Sequence, residues 1–153
     1  MMLARAVMVW CLLLGLAVVN GGIRESWIIP RAGAAGGHAI STVALCVLIL
    51  LLSLATIRWI RPVSAPEAWA IGGVWLGLTL GFEFLAGHYL FGNSWSRLLE
   101  DYNILAGRIW VLVLLTTAVA PWLAARARRL VTGAERAEGG EGGGASSVAT
   151  VAL

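Results

Sequence analysis

The chain has 153 residues, of which 59% are hydrophobic and 12% are charged, and its mean hydropathy is +0.86. This balance excludes an ordinary soluble domain, because charged residues usually make up about a quarter of a globular chain. All eleven basic residues are arginine and the formal charge is only +3. The arginines cluster at the ends of apolar segments, which excludes a nucleic-acid-binding surface and indicates a membrane protein.

Four apolar segments are predicted to cross the membrane, at about residues 3–19, 39–60, 66–90 and 104–125. Each is close to the roughly 20 residues that a helix needs to span the hydrocarbon core. Within the first segment, Arg5 precedes a short apolar region, as a basic residue does in a signal peptide. The end of the segment at Asn20 is a poor cleavage site, however, and we expect the segment to be retained. The predicted fold class is all-α: a polytopic membrane protein in which residues 1–130 form an antiparallel bundle of four transmembrane helices.

The connections between these segments differ in length. The first, at residues 21–37, is rich in glycine and is expected to be a slack surface connector held by Trp27, with a lid over an outward-facing site as the alternative. The second is short, and Pro66 followed by Glu67 is typical of a helix start. A short link predicts that segments two and three form a tight antiparallel hairpin.

The third segment carries Gly73, Gly77 and Gly81 at four-residue spacing. These three glycines, here called the glycine row, share one helix face and allow another helix to approach closely. We expect the row to pack against a helix of the same chain, with a homodimer contact as the alternative.

One acid and one base are predicted to lie inside the membrane at similar depth. Along an α-helix, Glu83 is roughly 25 Å from Pro66, and Arg108 is roughly 27 Å from Arg126. An isolated charge at the bilayer centre costs about 2.5–3.5 kcal/mol on insertion scales. We therefore expect Glu83 and Arg108 to form an ion pair.

Other ionisable side chains are predicted near the same level, and we refer to His38, Glu83, His88, Asp101 and Arg108 together as the polar cluster. Three interpretations are open: a structural network, a site for a small ligand, lipid headgroup or ion, and a catalytic or metal site. Two histidines and two carboxylates could hold a metal. The chain nevertheless has no HExxH spacing, nucleophile elbow or phosphate loop. We predict no metal ligand, no catalytic residue and no cofactor.

Arginine counts predict the orientation of the chain in the membrane. Seven arginines flank one side (Arg5, Arg58, Arg61, Arg126, Arg128, Arg129 and Arg136), and Arg24, Arg31, Arg97 and Arg108 belong to the other. Because Arg108 is predicted to lie inside the membrane, the useful contrast is seven against three. Both termini are then expected to be cytoplasmic. Residues 131–153 are rich in Gly, Glu, Ala and Ser, cannot offset the entropy of ordering by apolar burial, and are predicted to be a disordered cytoplasmic tail.

Several short strings are similar to those of known membrane proteins. FEFLAGHYLFG, SWSRLLEDYN and GRIW lie between Phe82 and Trp110, and GIRE and HAIS begin at Gly22 and His38. On these strings the chain resembles a group of short bacterial four-helix integral membrane proteins. The resemblance covers most of residues 20–123, implies the four-helix fold and implies no activity. Small four-helix glutathione-using membrane enzymes match in length, but their Arg- and Asn-bearing pattern is not reproduced around Glu83.

The expected function is ligand or lipid binding through an outward-facing polar cluster, or service as an accessory subunit. One alternative is an intramembrane enzyme, metal-dependent or not, that uses His38, Glu83, His88 and Asp101. Another is a small homodimeric transporter. The expected partners are the lipid bilayer and either a second copy of the chain or a membrane partner subunit, and no nucleic acid.

Overall fold

The computed structural model describes residues 1–85, 88, 89, 92 and 110–131, and these are almost all helical. The elements are α1 (Met2–Ile23), a π-helix (Arg24–Ile28), α2 (Ile29–Ile60), α3 (Ala65–Leu85) and α4 (Trp110–Ala127). Three helical runs of the described residues are long and apolar enough to cross a membrane: Met2–Ile60, Ala65–Leu85 and Trp110–Ala127. The chain is therefore an all-helical membrane protein.

The first helical run turns back on itself at Gly33. This residue has φ 73° and ψ 169°, a backbone conformation that is essentially restricted to glycine. Near the end of α1, Asn20 Nδ2 donates to Ser41 Oγ at 2.7 Å. Near its start, Arg5 Nη1 donates to the Trp59 carbonyl at 2.9 Å. Helices α1 and α2 are therefore antiparallel neighbours.

The slack connector expected at residues 21–37 is wrong, because this stretch is helical on both sides of Gly33. Lipid offers no hydrogen bonds to an open backbone, so chain near the membrane satisfies its own amide groups. Gly37 is buried, and a Cβ there would lie 2.7 Å from Ile29 Cγ1. As a result α1 ends at Ile23 rather than at residue 19, and α2 begins at Ile29 rather than at residue 39.

Helix α3 begins at Ala65, one residue before the predicted Pro66. Glu67 Oε2 accepts the Val63 N–H at 2.8 Å, and Ser64 Oγ accepts the Glu67 N–H at 3.4 Å, an arrangement close to a capping box. Helix α4 ends at Ala127, two residues beyond the predicted 125. Residues 104–109 of the fourth predicted segment, part of the end of the third, and the predicted tail from residue 132 onward lie outside the described residues.

The tight hairpin expected between the second and third segments is also wrong. Helix α4 packs against α2 and α3, and α1 packs against α2 and α3, so that α1 and α4 both lie between α2 and α3. A short link determines only that two helices share an end, and close packing between other pairs decides which helices touch. Among the described residues, the core includes the large, fully buried apolar side chains of Val9, Leu45, Ile57, Ile60, Ile71 and Trp75.

Candidate functional site

The polar cluster is described in part. Glu83 lies in the last turn of α3 and is half-buried, and its Oε1 has no access to solvent. His88 follows in a short π-helical stretch, where its ring meets that of Tyr89 edge-on with 5.0 Å between centroids. Asp101 and Arg108 lie outside the described residues. The Glu83–Arg108 ion pair therefore stays a prediction.

The described members of the polar cluster do not form a ligand set by themselves. His38 is exposed on α2, whereas Glu83 and His88 are half-buried near the end of α3. Glu83, Phe84 and His88 each have an interaction partner, so none of the three residues is free. Across residues 1–85, 88, 89, 92 and 110–131, no group of three or more His, Cys, Asp or Glu side chains is placed to hold a metal ion.

Hydrogen bonds between helices add polar contacts that spacing rules did not predict. Trp10 Nε1 donates to Thr79 Oγ1 at 3.0 Å, and Trp75 Nε1 donates to the Ala6 carbonyl at 2.8 Å. Both bonds join α1 to α3, and such bonds in membrane proteins contribute about 0.6 kcal/mol on average. The sequence shows that indole and hydroxyl groups lie inside apolar segments. It does not show which of these groups bond to one another.

The side of α3 that faces α4 is closely packed. Gly72 is buried, and a Cβ at this position would collide with the carbonyl oxygen of Ala118. One turn away, the rings of Trp69 and Trp122 stack with 5.5 Å between centroids. Gly72 has no glycine four residues away on either side, so the spacing rule did not select it. It is nevertheless the glycine that the contact between α3 and α4 requires.

The glycine row faces away from this contact. Gly73 and Gly77 are exposed and Gly81 is half-exposed. A Cβ added at any of the three would meet no atom within 4 Å. The expectation that the row packs against another helix of the same chain is therefore not met by the described residues. The row is an open surface of α3.

Six arginines lie at one end of the molecule, which we call the basic end: Arg5, Arg58, Arg61, Arg126, Arg128 and Arg129. Three of them are held by the fold. Arg5 donates to the Trp59 carbonyl and lies over the ring of that residue, Arg126 lies over the Trp122 ring, and Arg128 Nε donates to the Leu54 carbonyl.

The other three, Arg58, Arg61 and Arg129, are exposed, and their side chains make no hydrogen bond or ion pair within the described part of the chain. A cleft of about 430 Å³ opens at this end. Its walls consist of two arginines and three apolar residues: Arg58, Arg61, Pro62, Val63 and Leu130. The basic end therefore presents guanidinium groups beside an apolar surface.

The opposite end of the α1–α2 pair is different, since its described arginines are both occupied. Arg24 Nη2 is 3.0 Å from Glu25 Oε1 in an ion pair. Arg31 Nη1 donates to the Trp27 carbonyl at 2.9 Å, and its guanidinium lies 5.3 Å from the centre of that indole ring. These contacts leave the charges partly satisfied by the chain itself.

No protein-family model, curated protein or solved structure matches this chain. Its own geometry is therefore the basis for inferring a function. Two surfaces of the described residues can act on another molecule. One is the glycine row of α3, which can receive a helix, and the other is the basic end, which can receive an anion.

Proposed function

We propose that this protein is a small accessory subunit of the bacterial inner membrane that assembles through α3, and that the helix which packs on α3 is α3 of a second copy. The open glycine row carries the proposal. The space over Gly73, Gly77 and Gly81 is empty to 4 Å, so the described fold of one copy does not require glycine at any of them.

The energetics of helices in lipid support an occupied row. Glycine lowers helix stability by roughly 1 kcal/mol relative to alanine in water. Three glycines on an open face therefore reduce the stability of α3 unless another contact offsets the loss. In lipid, small residues let two helix backbones approach and gain van der Waals contact and Cα–H···O bonds. The row is also self-complementary, because two copies can meet through the same patch across a twofold axis.

Four spans and cytoplasmic termini belong to the same proposal. Helix α1 has 22 residues, and α2 continues for 27 residues after the turn at Gly33, from Ala34 to Ile60; their rises of roughly 33 Å and 40 Å both exceed the ~30 Å hydrocarbon core. Their antiparallel contacts favour two separate crossings. The positive-inside rule then places the basic end in the cytoplasm.

Cysteine labelling in intact cells tests this topology. In a Cys11→Ala, Cys46→Ala background, Ser26→Cys is expected to react with a membrane-impermeant maleimide, and Arg129→Cys is expected to react only after the cells are opened. Labelling of Arg129→Cys in intact cells would show that the orientation is reversed.

Disulfide crosslinking in native membranes tests the assembly. In the same background, Gly77→Cys is expected to give a covalent species of twice the mass of the chain. Gly15→Cys is the matched control, because Gly15 is also an exposed helical glycine with open space above it, but on α1. Equal crosslinking at both positions, or none at Gly77→Cys, would overturn the proposal. A crosslink only to a chain of different mass would replace the second copy with another partner.

Gly77→Leu provides a second measurement. It should prevent association of two copies in mild detergent without lowering the thermal unfolding midpoint of the single chain, because the added side chain enters open space. Gly15→Leu should likewise not lower the midpoint, and it should leave association unchanged. If Gly77→Leu lowers the unfolding midpoint without affecting association, the row has a structural role within one copy instead.

A further inference from the structure

Among the described residues, the local charge balance at the basic end is strongly positive. Six arginines meet a single described carboxylate there, that of Glu67. This carboxylate is already used, since Oε2 accepts the Val63 N–H at the start of α3. Among the described residues, no acid lies within ion-pair distance of the six guanidinium groups. An anion from outside the chain can supply the missing countercharge.

The cleft brings two of the unoccupied arginines to one opening. Arg58 is in the last turn of α2, and Arg61 directly follows that helix with φ 59°, so the chain changes direction between them and the next element. Both side chains are exposed and line the cleft. The guanidinium group presents a planar fork of N–H donors that matches two oxygens of a phosphate group.

Tryptophans place the cleft at the level of lipid headgroups. Trp59 is 47% exposed and Trp69 is 46% exposed, and Trp69 stacks on Trp122. Indole rings concentrate at the membrane–water boundary, where their apolar and polar parts are both accommodated. Trp59 is next to Arg58 in the chain, which indicates that the cleft lies at this boundary rather than in bulk water. The apolar part of its lining, Pro62, Val63 and Leu130, suits the glycerol and first methylenes of a lipid.

We propose that this cleft binds the phosphodiester headgroup of an anionic membrane lipid, with Arg58 and Arg61 donating to the phosphate oxygens. The site is separate from the glycine row and does not depend on the proposed assembly through α3. Polybasic surfaces attract anionic leaflets in general, and free inorganic phosphate would offer similar oxygens. The position of the cleft at headgroup level favours the lipid as the source of the phosphate.

Native mass spectrometry of the full-length protein in a nonionic detergent tests the site. Phosphatidylglycerol and phosphatidylcholine with the same acyl chains are added in equal amounts, and the lipid adducts are counted. The test variant is Arg58→Gln with Arg61→Asn. The matched control is Arg126→Gln with Arg129→Asn, which removes the same charge from the same end but outside the cleft. Asparagine is used at Arg61 and Arg129 because both have positive φ, which asparagine tolerates.

The wild-type protein is expected to prefer phosphatidylglycerol by about thirtyfold, because each arginine near an anionic lipid contributes about 1 kcal/mol and every 1.4 kcal/mol is a factor of ten. The Arg58/Arg61 variant should lose this preference and the Arg126/Arg129 control should keep it. Equal losses in both variants would overturn the site in favour of general surface charge. Displacement of phosphatidylglycerol by equimolar inorganic phosphate would overturn the lipid as ligand. If the double variant does not fold, as judged by circular dichroism, Arg58→Gln alone gives the same readings.

Discussion

The two faces of α3 use glycine in opposite ways. On the face that meets α4, the backbone of Ala118 occupies the space where a side chain of Gly72 would be, and Trp75 and Ile71 beside it are fully buried. On the other face, Gly73 and Gly77 are exposed, and no atom lies where their side chains would project. Adjacent residues of identical type thus have different roles. The difference separates what holds one copy together from what is available to a partner.

Trp75 is the largest fully buried side chain and lies on the inner face of α3. Replacing it with alanine should lower the free energy of unfolding by about 3–5 kcal/mol, because a large cavity opens and the bond to the Ala6 carbonyl is lost. Thermal unfolding in detergent, followed by circular dichroism, measures the effect. Trp27→Ala is the control, since Trp27 is 66% exposed, and it should change stability by less than about 1 kcal/mol. Equal losses would mean that Trp75 is not a core residue.

The second prediction compares the two adjacent glycines directly. Gly72→Ala should destabilise the protein by about 1–3 kcal/mol, because the methyl group would push α4 away from α3. Gly73→Ala should leave the single chain at least as stable as the wild type, with a gain of up to about 1 kcal/mol, because alanine favours a helix more than glycine does. The same unfolding measurement serves both variants. If Gly73→Ala is as harmful as Gly72→Ala, the outer face is packed within the chain and the contrast between the faces is wrong.

The sequence predicted the existence of the helices better than their arrangement. Pro66 and Glu67 located the start of α3 because their effects are local: a fixed φ, and a side chain that caps the first turn. The four-residue spacing of the glycine row correctly indicated a shared face. It could not indicate which face the rest of the chain covers. In a soluble amphipathic helix, polar residues mark the face that meets water and so reveal which face is covered. In a membrane helix, the residues that face lipid and those that face other helices are both apolar.

The connector and the polar cluster show two other limits. Glycines at residues 21–37 suggested a slack loop, yet Gly33 forms the turn and Gly37 admits the close approach of Ile29, roles that depend on three-dimensional contacts. For the cluster, depth along a helix could be estimated from residue counts. The direction of each side chain around the bundle could not, and His38 lies exposed on α2 while Glu83 is half-buried on α3.

The inner face of α3 is predicted to continue to the end of the helix through Glu83, which follows Thr79 by one turn. Glu83→Gln and Arg108→Gln should each lower thermal stability, and the double variant should lose less than the sum of the two. The expected coupling is on the order of 1 kcal/mol, since each single change leaves the other charge unmatched in a poorly solvated place. Strictly additive losses would show that the two side chains do not interact.

The smallest effect is expected at Thr79, where a single hydrogen bond joins the inner face of α3 to α1. Thr79 donates to the Trp75 carbonyl and accepts from Trp10 Nε1. Thr116 on α4 is the control. Its hydroxyl also donates to a carbonyl of its own helix, that of Leu112, and within the described residues it accepts no bond from another helix. Valine at either position removes the bond within the helix, so the difference between Thr79→Val and Thr116→Val isolates the contact between helices.

That difference in the free energy of unfolding should be about 0.6 kcal/mol, the typical value in membrane proteins. If the two variants unfold at the same temperature, the bond from Trp10 adds nothing to the stability of the inner face.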